Sequence, residues 1–164
     1  MRRLQTFKVS GKNSLNHWTR FRNPLRVVYN FMFISASRYA PSLALKRFLL
    51  RMTGMKVGKD AAVGLMAMFD VFYPELIELG ENCIIGYNVT ILAHEFLRDG
   101  LRTGKTIVGK DAMVGANATV LAGVEIGNGA VVSAASLVDG DVPADSFAKG
   151  NPMQVLKRAE YFNK

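Results

Sequence analysis

The first 59 residues of this 164-residue chain contain no aspartate or glutamate, yet they hold thirteen lysines and arginines. The remainder carries eight basic and thirteen acidic side chains, so the net charge of +8 divides into +13 and −5. Such a split points to an anionic partner for the N-terminal part. No nucleic-acid-binding motif accompanies the charge, so a nucleic-acid partner is not expected. The single cysteine, Cys83, excludes a disulfide within the chain and fits a reducing, cytoplasmic setting. With His17 and His94 as the only histidines, there is no Cys/His cluster and no metal site is expected. The N-terminus lacks a continuous apolar core with a cleavage site, so no secretory signal is read. No apolar stretch approaches the ~20 residues needed to span a bilayer.

What is present is a six-residue beat. Val108, Val114, Val120, Ile126, Val132 and Val138 follow one another at intervals of six. Two positions before each stands a small or β-branched residue, among them Ala112, Ala118 and Ala130. The same beat occurs upstream at Val57, Val63 and Phe69, and again at Leu79, Ile85 and Ile91. Hexapeptides of this kind predict an all-β fold, a parallel β-helix over 57–143, in which the aliphatic residue points inward. Each buried aliphatic contributes roughly 1.5–3 kcal/mol against about 1–2 kcal/mol for ordering each backbone residue, so only stacked repeats form a core. Glycines 58, 64, 80, 86, 109, 115 and 127 follow inward residues, and the expectation is that they supply a backbone conformation other residues resist. Cys83, two before Ile85, falls at an inward position and is read as core.

The beat breaks twice. From Phe69 to Leu79 is ten residues and from Ile91 to Val108 is seventeen, so each break predicts an extruded loop, the second about 94–105. His94 stands where the period fails, and its side chain is therefore free to face a cleft. A basic segment, 1–56, precedes the coil, and a tail, 144–164, follows it. In the basic segment Asn23-Pro24 reads as a helix start, Leu25 to Tyr39 is apolar around most of its circumference, and Pro41 ends the helix. A second helix is predicted from Ser42 to Met52, with Leu45, Phe48, Leu49 and Met52 on one face. These basic amphipathic helices are suited to an anionic membrane surface, to capping the open end of the coil, or to packing on a neighbouring subunit.

The repeats, the interrupting segment with its histidine, and the ending Asp141-Val142-Pro143 with Lys149-Gly150-Asn151-Pro152 resemble the hexapeptide-repeat acyltransferases. The similarity is to the maltose/galactoside O-acetyltransferase type and, through the N-terminal helices, to an uncharacterised bacterial acetyltransferase group. This resemblance implies a left-handed coil, a homotrimer, and acetyl-coenzyme A in a groove between subunits. It implies acetylation of a sugar or glycan-related hydroxyl by direct transfer, with N-acetylation and serine acetylation as variants. A noncatalytic trimeric scaffold is the alternative outside enzymes. A carbonic anhydrase on this fold needs three zinc-binding histidines, which the chain does not have.

His94 matches the family's catalytic histidine after Asn88-Val89-Thr90, and imidazole suits a general base near physiological pH. Glu95, or a more distant carboxylate, is expected to orient it. Asn88 matches an acceptor-binding asparagine, although asparagine also suits the coil's sharp corners. Asp70 and Glu75 border the first break and are candidates for the acceptor pocket. Ala116, Ala134 and Ala135 match small residues that border the cofactor, and Lys149, Lys157 and Arg158 are candidates for its phosphates. Two departures weaken the phosphate assignment: Asp139-Gly140 replaces a Thr-Lys pair, and Gln154 stands where an arginine is common. The expected location is the cytoplasm, with peripheral contact at the inner membrane face.

Overall fold

The computed structural model describes residues 2–157. Strand β1 (Gln5–Lys8) leads through a 3-10 turn at Ser14–His17 into the short helix α1 (Trp18–Phe21). A helical hairpin follows, α2 (Pro24–Tyr39) and α3 (Leu43–Met52). Its helices start as their sequences dictate. The Asn23 side chain accepts from the Leu25 N–H with Pro24 in the first turn, and the Ser42 side chain accepts from the Leu45 N–H.

The chain then winds into a coil. Its first turn is β2 (Lys56–Val57), β3 (Ala62–Val63) and β4 (Met68–Phe69), and its second is β5 (Ile77–Leu79), β6 (Ile84–Ile85) and β7 (Thr90–Ile91). An interruption holds β8 (His94–Phe96) and β9 (Gly100–Thr103). The third turn is β10 (Thr106–Val108), β11 (Met113–Val114) and β12 (Thr119–Val120). The fourth is β13 (Glu125–Ile126), β14 (Val131–Val132) and β15 (Leu137–Val138). Each turn adds one strand to each of three parallel sheets. Register stacks the beat on itself, with Val57 beside Leu79, Leu79 beside Val108, and Val108 beside Ile126. The second sheet continues past the expected boundary at 143, because β16 (Ser146–Lys149) pairs parallel with β14 and β17 (Gln154–Lys157) folds back on it.

The inward aliphatics from Val108 to Val138 are fully buried, as are Cys83 and the small residues Ala118 and Ala130. Burial pushes the Cys83 thiol up to about 11, so it packs as an apolar group rather than reacting as a thiolate.

The glycines serve a different purpose from the one expected. None of those that follow inward residues has a positive φ. They are required because adjacent turns touch there: a Cβ on Gly80 would meet Gly109 C and Lys110 N at 2.5 Å. The left-handed corner comes three residues after each inward aliphatic and is filled mainly by Asn, Asp or Gly: Asp60, Asn82, Asn88, Asp111, Asn117, Gly123, Gly129 and Asp145. Their short polar side chains, or the lack of one, tolerate that conformation. Met66 and Ala135 are the exceptions.

Both interruptions are ordered. The first contains a 3-10 helix at Pro74–Leu76. The second, expected as a loop, is an antiparallel hairpin of β8 and β9, and β1 pairs with β9 to make a three-stranded sheet. The N-terminal segment thus wraps the interruption, held further by Val9 N–H donating to Asp99 O at 2.9 Å.

The α2–α3 hairpin closes the open end of the coil. Helix α2 packs on β4 and α3 on β2 and β3, the first strands of all three sheets. Ile34 and Leu50 enter the coil's core beside Val57, Val63 and Phe69. The face that α2 turns inward is its polar one, Asn30 and Ser37 flanking Ile34. Asn30 donates to Val71 O at 2.9 Å, and the fully buried Lys46 of α3 donates to Ser37 O at 2.7 Å and Gly64 O at 3.1 Å. The apolar circumference of the hairpin is left outside.

Candidate active site

Asp70 follows directly on β4, and four backbone N–H groups converge on its carboxylate, two from the turn after it and two from the start of the second interruption. Phe72 N–H and Tyr73 N–H donate to Oδ1 at 2.9 and 3.0 Å, and Ala93 N–H and His94 N–H donate to Oδ2 at 2.8 and 2.9 Å. The His94 ring completes the set, its Nδ1–H donating to Oδ2. Asp70 is thus the joint between the two interruptions, at the start of each. Its side chain is wholly buried, while that of His94 remains 14% exposed. Burial alone raises a carboxyl pKa, but the hydrogen bond and charge of His94, with the N–H groups of Tyr73 and Ala93, outweigh it and hold Asp70 below its ordinary value. A carboxylate fixed on Nδ1 leaves the neutral imidazole with its proton there and its lone pair on Nε2. Among the described residues, Nε2 makes no hydrogen bond.

Aromatic rings surround that imidazole. Phe72 and Phe96 each lie 4.9 Å from it between centroids, and Tyr73 lies at 5.8 Å. Trp18 meets Phe72 edge-on at 5.7 Å. Phe72 is also a wall of a cleft of about 510 Å³ whose other walls are Asn13, Leu15, Asn16 and Trp18. The N-terminal wrap therefore builds one side of the site.

The remaining candidate residues are scattered. Glu95, expected beside His94, points the other way along its strand and pairs with Arg2, because neighbours in a strand face opposite sides. Asp70, expected to line an acceptor pocket, instead takes the orienting position, since its burial leaves no free lone pair for a ligand. Glu75 pairs with Arg22 at 2.5 Å, and that guanidinium lies 4.8 Å over the Tyr73 ring, so Glu75 reaches the site only through its partner. Asn88 occupies a left-handed corner at φ 53° and donates from Nδ2 to Asn117 Oδ1 at 3.0 Å.

Ala116, Ala134 and Ala135 fall together on the corner between the second and third sheets, with Ala135 N–H donating to Ala116 O at 2.8 Å. Ala135 holds φ 56° without the side chain that eases it at other corners. Lys149 leaves β16 at this same corner, since Ala148 pairs with Val132. Lys157 stands opposite Ser146 at the far end of that strand, about 10 Å away at ~3.3 Å per residue. Arg158 lies outside the described residues. No cluster of three or more His, Cys, Asp or Glu able to hold a metal occurs among the described residues.

Phe72, Tyr73, Phe96, Trp18 and the arginines at 2 and 22 went unnoticed in the sequence. A signal existed for Phe72 and Tyr73, which sit in the first interruption. None existed for Trp18 or Arg2, which arrive through pairing of β1 with a strand nearly one hundred residues away.

The site stands on a coil of stacked hexapeptides, the architecture of the hexapeptide-repeat proteins. The model of the hexapeptide repeat of succinyl-transferase matches residues 54–93 and 105–139. Putative acetyltransferase YvoF of Bacillus subtilis (strain 168) is 48% identical over 161 residues, covering 98% of this chain and 94% of that protein. A maltose O-acetyltransferase from Clostridium difficile 630 shares the fold with a TM-score of 0.61 at 23% identity, over 82% of this chain and 88% of its own. A galactoside acetyltransferase in complex with coenzyme A does so with a TM-score of 0.64 at 20% identity, over 81% of this chain and 80% of its own. The chain belongs to the hexapeptide-repeat acetyltransferase family, and its coil is the left-handed parallel β-helix of that family.

Proposed function

We propose that the protein transfers the acetyl group of acetyl-coenzyme A to a hydroxyl of a sugar or glycan-related acceptor, with His94 as general base and Asp70 as its positioning residue. The observation that carries this reading is the Asp70–His94 pair, which leaves Nε2 bare in an aromatic-lined site. Nε2 takes the acceptor proton as the acceptor oxygen attacks the acetyl carbonyl. The new C–O bond forms, the C–S bond breaks, and His94 returns its proton to the departing sulfur. Asp70 stabilises the imidazolium in between without itself accepting the proton. No covalent intermediate is needed, and Cys83 is buried away from the reaction.

The aromatic rings favour a sugar. Pyranose C–H faces stack on such surfaces, and Asn13 and Asn16 supply amides for hydroxyls in the adjoining cleft. For the donor, the corner of Ala116, Ala134 and Ala135 fits a narrow amide-bearing arm, because small side chains leave backbone N–H and C=O groups approachable. Alanine at the left-handed corner of Ala135, a conformation that Gly or Asn adopts more easily, supports a functional role for that corner. Lys149 is placed for a phosphate at the same corner; Lys157 and Arg158 are secondary candidates. Asn88 is a corner residue first and an acceptor ligand only if it exchanges its bond to Asn117.

The working state is proposed to be a homotrimer. The outward face of the second sheet shows Ile84 and Met113, 48% and 38% exposed, whereas the first sheet shows Lys56, Glu78 and Glu125. Apolar side chains of that kind suit contact between copies. Reaction in the cytoplasm follows from the donor, a charged molecule that does not cross membranes.

The test is coenzyme A thiol release from acetyl-coenzyme A with a panel of sugars, nucleotide sugars, serine and amines. Acceptor-dependent release that is lost in His94→Ala supports the reading. Release with amines or serine alone reassigns the acceptor. No release across the panel, with no coenzyme A binding by calorimetry, makes the protein a scaffold.

A further inference from the structure

The helical cap is amphipathic in the inverse sense. Helix α2 turns Asn30 and Ser37 toward the coil, where they are hydrogen-bonded, and α3 turns Lys46 inward. Outside stand Leu25, Val28, Phe31 and Met32 of α2 with Phe48 and Met52 of α3, each between 41% and 79% exposed. Nine of the sixteen large hydrophobic residues exposed among the described ones belong to these two helices. Exposed apolar side chains gathered on one small element in this way mark it as a contact surface.

We propose that this face docks onto an anionic membrane surface. Charge decides the occupant. No carboxylate occurs in residues 1–59, and Arg26, Arg38, Arg47 and Arg51 of the hairpin form no ion pair among the described residues. Arg47 and Arg51 instead donate to Ala61 O at 3.2 Å and Val57 O at 2.6 Å, which ties their guanidinium groups to the first coil turn under the cap. An apolar helix face on a segment with thirteen basic side chains and no acidic one matches acyl chains below and anionic headgroups around. A second copy stacked cap to cap would set two acid-free basic segments against each other. The hairpin has the form for lying on a bilayer and not for crossing it, since no described helix is long and apolar enough to span one.

Position in the fold supports this use. The hairpin closes the end of the coil, so its outer face looks along the coil axis and leaves the coil's flanks available for other copies. Copies related by a rotation axis parallel to the coil would present all their caps in one plane, and several weak contacts would then act together. The docking proposal is separate from acetyl transfer and survives its failure.

The test is co-sedimentation of the full chain with vesicles of phosphatidylglycerol and phosphatidylcholine, against phosphatidylcholine alone. The expected result is binding to the anionic vesicles that weakens with added salt and falls at least about tenfold in the combined variant Phe31→Gln, Met32→Gln, Phe48→Gln. These side chains are exposed, so the variant should keep the wild-type melting temperature. Three results would overturn the proposal: no binding of the wild type above the phosphatidylcholine level, undiminished binding of the variant, or a change in the variant's sedimentation mass without lipid, which would make the face a contact between copies. Should the variant not fold, hydrogen exchange of the wild type decides. Protection on adding anionic vesicles that is concentrated in 25–52 supports docking, and none there contradicts it.

Discussion

The coil and the segment wrapped around it treat polarity in opposite ways. In the coil, apolar residues point in at every sixth position and polar ones stay at the corners. In the wrap and the two interruptions polar side chains are buried, and the helical hairpin of the wrap also shows apolar ones. Of nine buried polar residues among those described, only Thr106 and Ser136 belong to coil turns. The others include Asp70, Asn30 and Lys46, whose carboxylate, amide nitrogen and ammonium group respectively are hydrogen-bonded. A buried polar group without partners costs about 1–3 kcal/mol, so these networks are held together as units. The regular region supplies rigidity, and the irregular region, set on it, supplies the chemistry and the contact surface.

The largest way to break this contrast is at the site. His94→Ala should lower kcat/KM for acceptor-dependent thiol release by about 10²- to 10⁴-fold with the melting temperature nearly unchanged. Asp70→Asn should also cost at least about a hundredfold in kcat, with the acceptor KM close to wild type, because a positioning residue acts through His94. The same variant has a signature in stability. Asp70 has its carboxyl pKa held below the ordinary 3.8 in the folded protein. Its stabilisation is therefore complete above that ordinary value and is lost as pH falls through the lower folded one. Acid titration of the melting temperature should show a smaller loss below pH 3.8 for Asp70→Asn than for wild type.

Smaller effects separate the two regions by stability alone. Lys46→Met keeps the volume but leaves the Ser37 and Gly64 carbonyls without their donor, and urea unfolding should lose about 3 kcal/mol. Gly80→Ala should cost about 2 kcal/mol by forcing adjacent turns apart, with no specific effect on kcat. Ala135→Gly should stabilise the coil slightly, by about 1 kcal/mol, by relieving its left-handed corner. Ala135→Asn should do much the same while raising KM for acetyl-coenzyme A, measured by thiol release; an unchanged KM would detach that corner from the cofactor.

How far each region could be read in advance follows the same division. A period of six fixes which residue points inward, so Val57 to Val138, the sheets and the place of Cys83 were all legible. The helix boundaries were legible too, because Asn23-Pro24 and Ser42 are local signals. His94 could be found because it stands where the period stops. Asp70 was visible as a candidate but not in its role, since its pairing with His94 depends on two interruptions meeting in space. The facing of α2 was hidden for a similar reason. A hydrophobic pattern says that a helix has two faces, and only the carbonyl of Val71 and the end of the coil decide that the polar one goes in. The glycines were legible as a pattern and misread in cause: contact between turns, not φ, excludes a Cβ there.

The central claim is that Asp70 fixes the His94 imidazole with its proton on Nδ1 and its lone pair on Nε2. Nitrogen NMR of ¹⁵N-histidine-labelled protein reads this directly, and with His17 the only other histidine, His94→Gln assigns the signals. The account predicts that neutral His94 carries its proton on Nδ1 in wild type and that this preference is lost in Asp70→Asn. A neutral His94 with its proton on Nε2 in the wild type would contradict it, because that ring could not accept a proton from the acceptor.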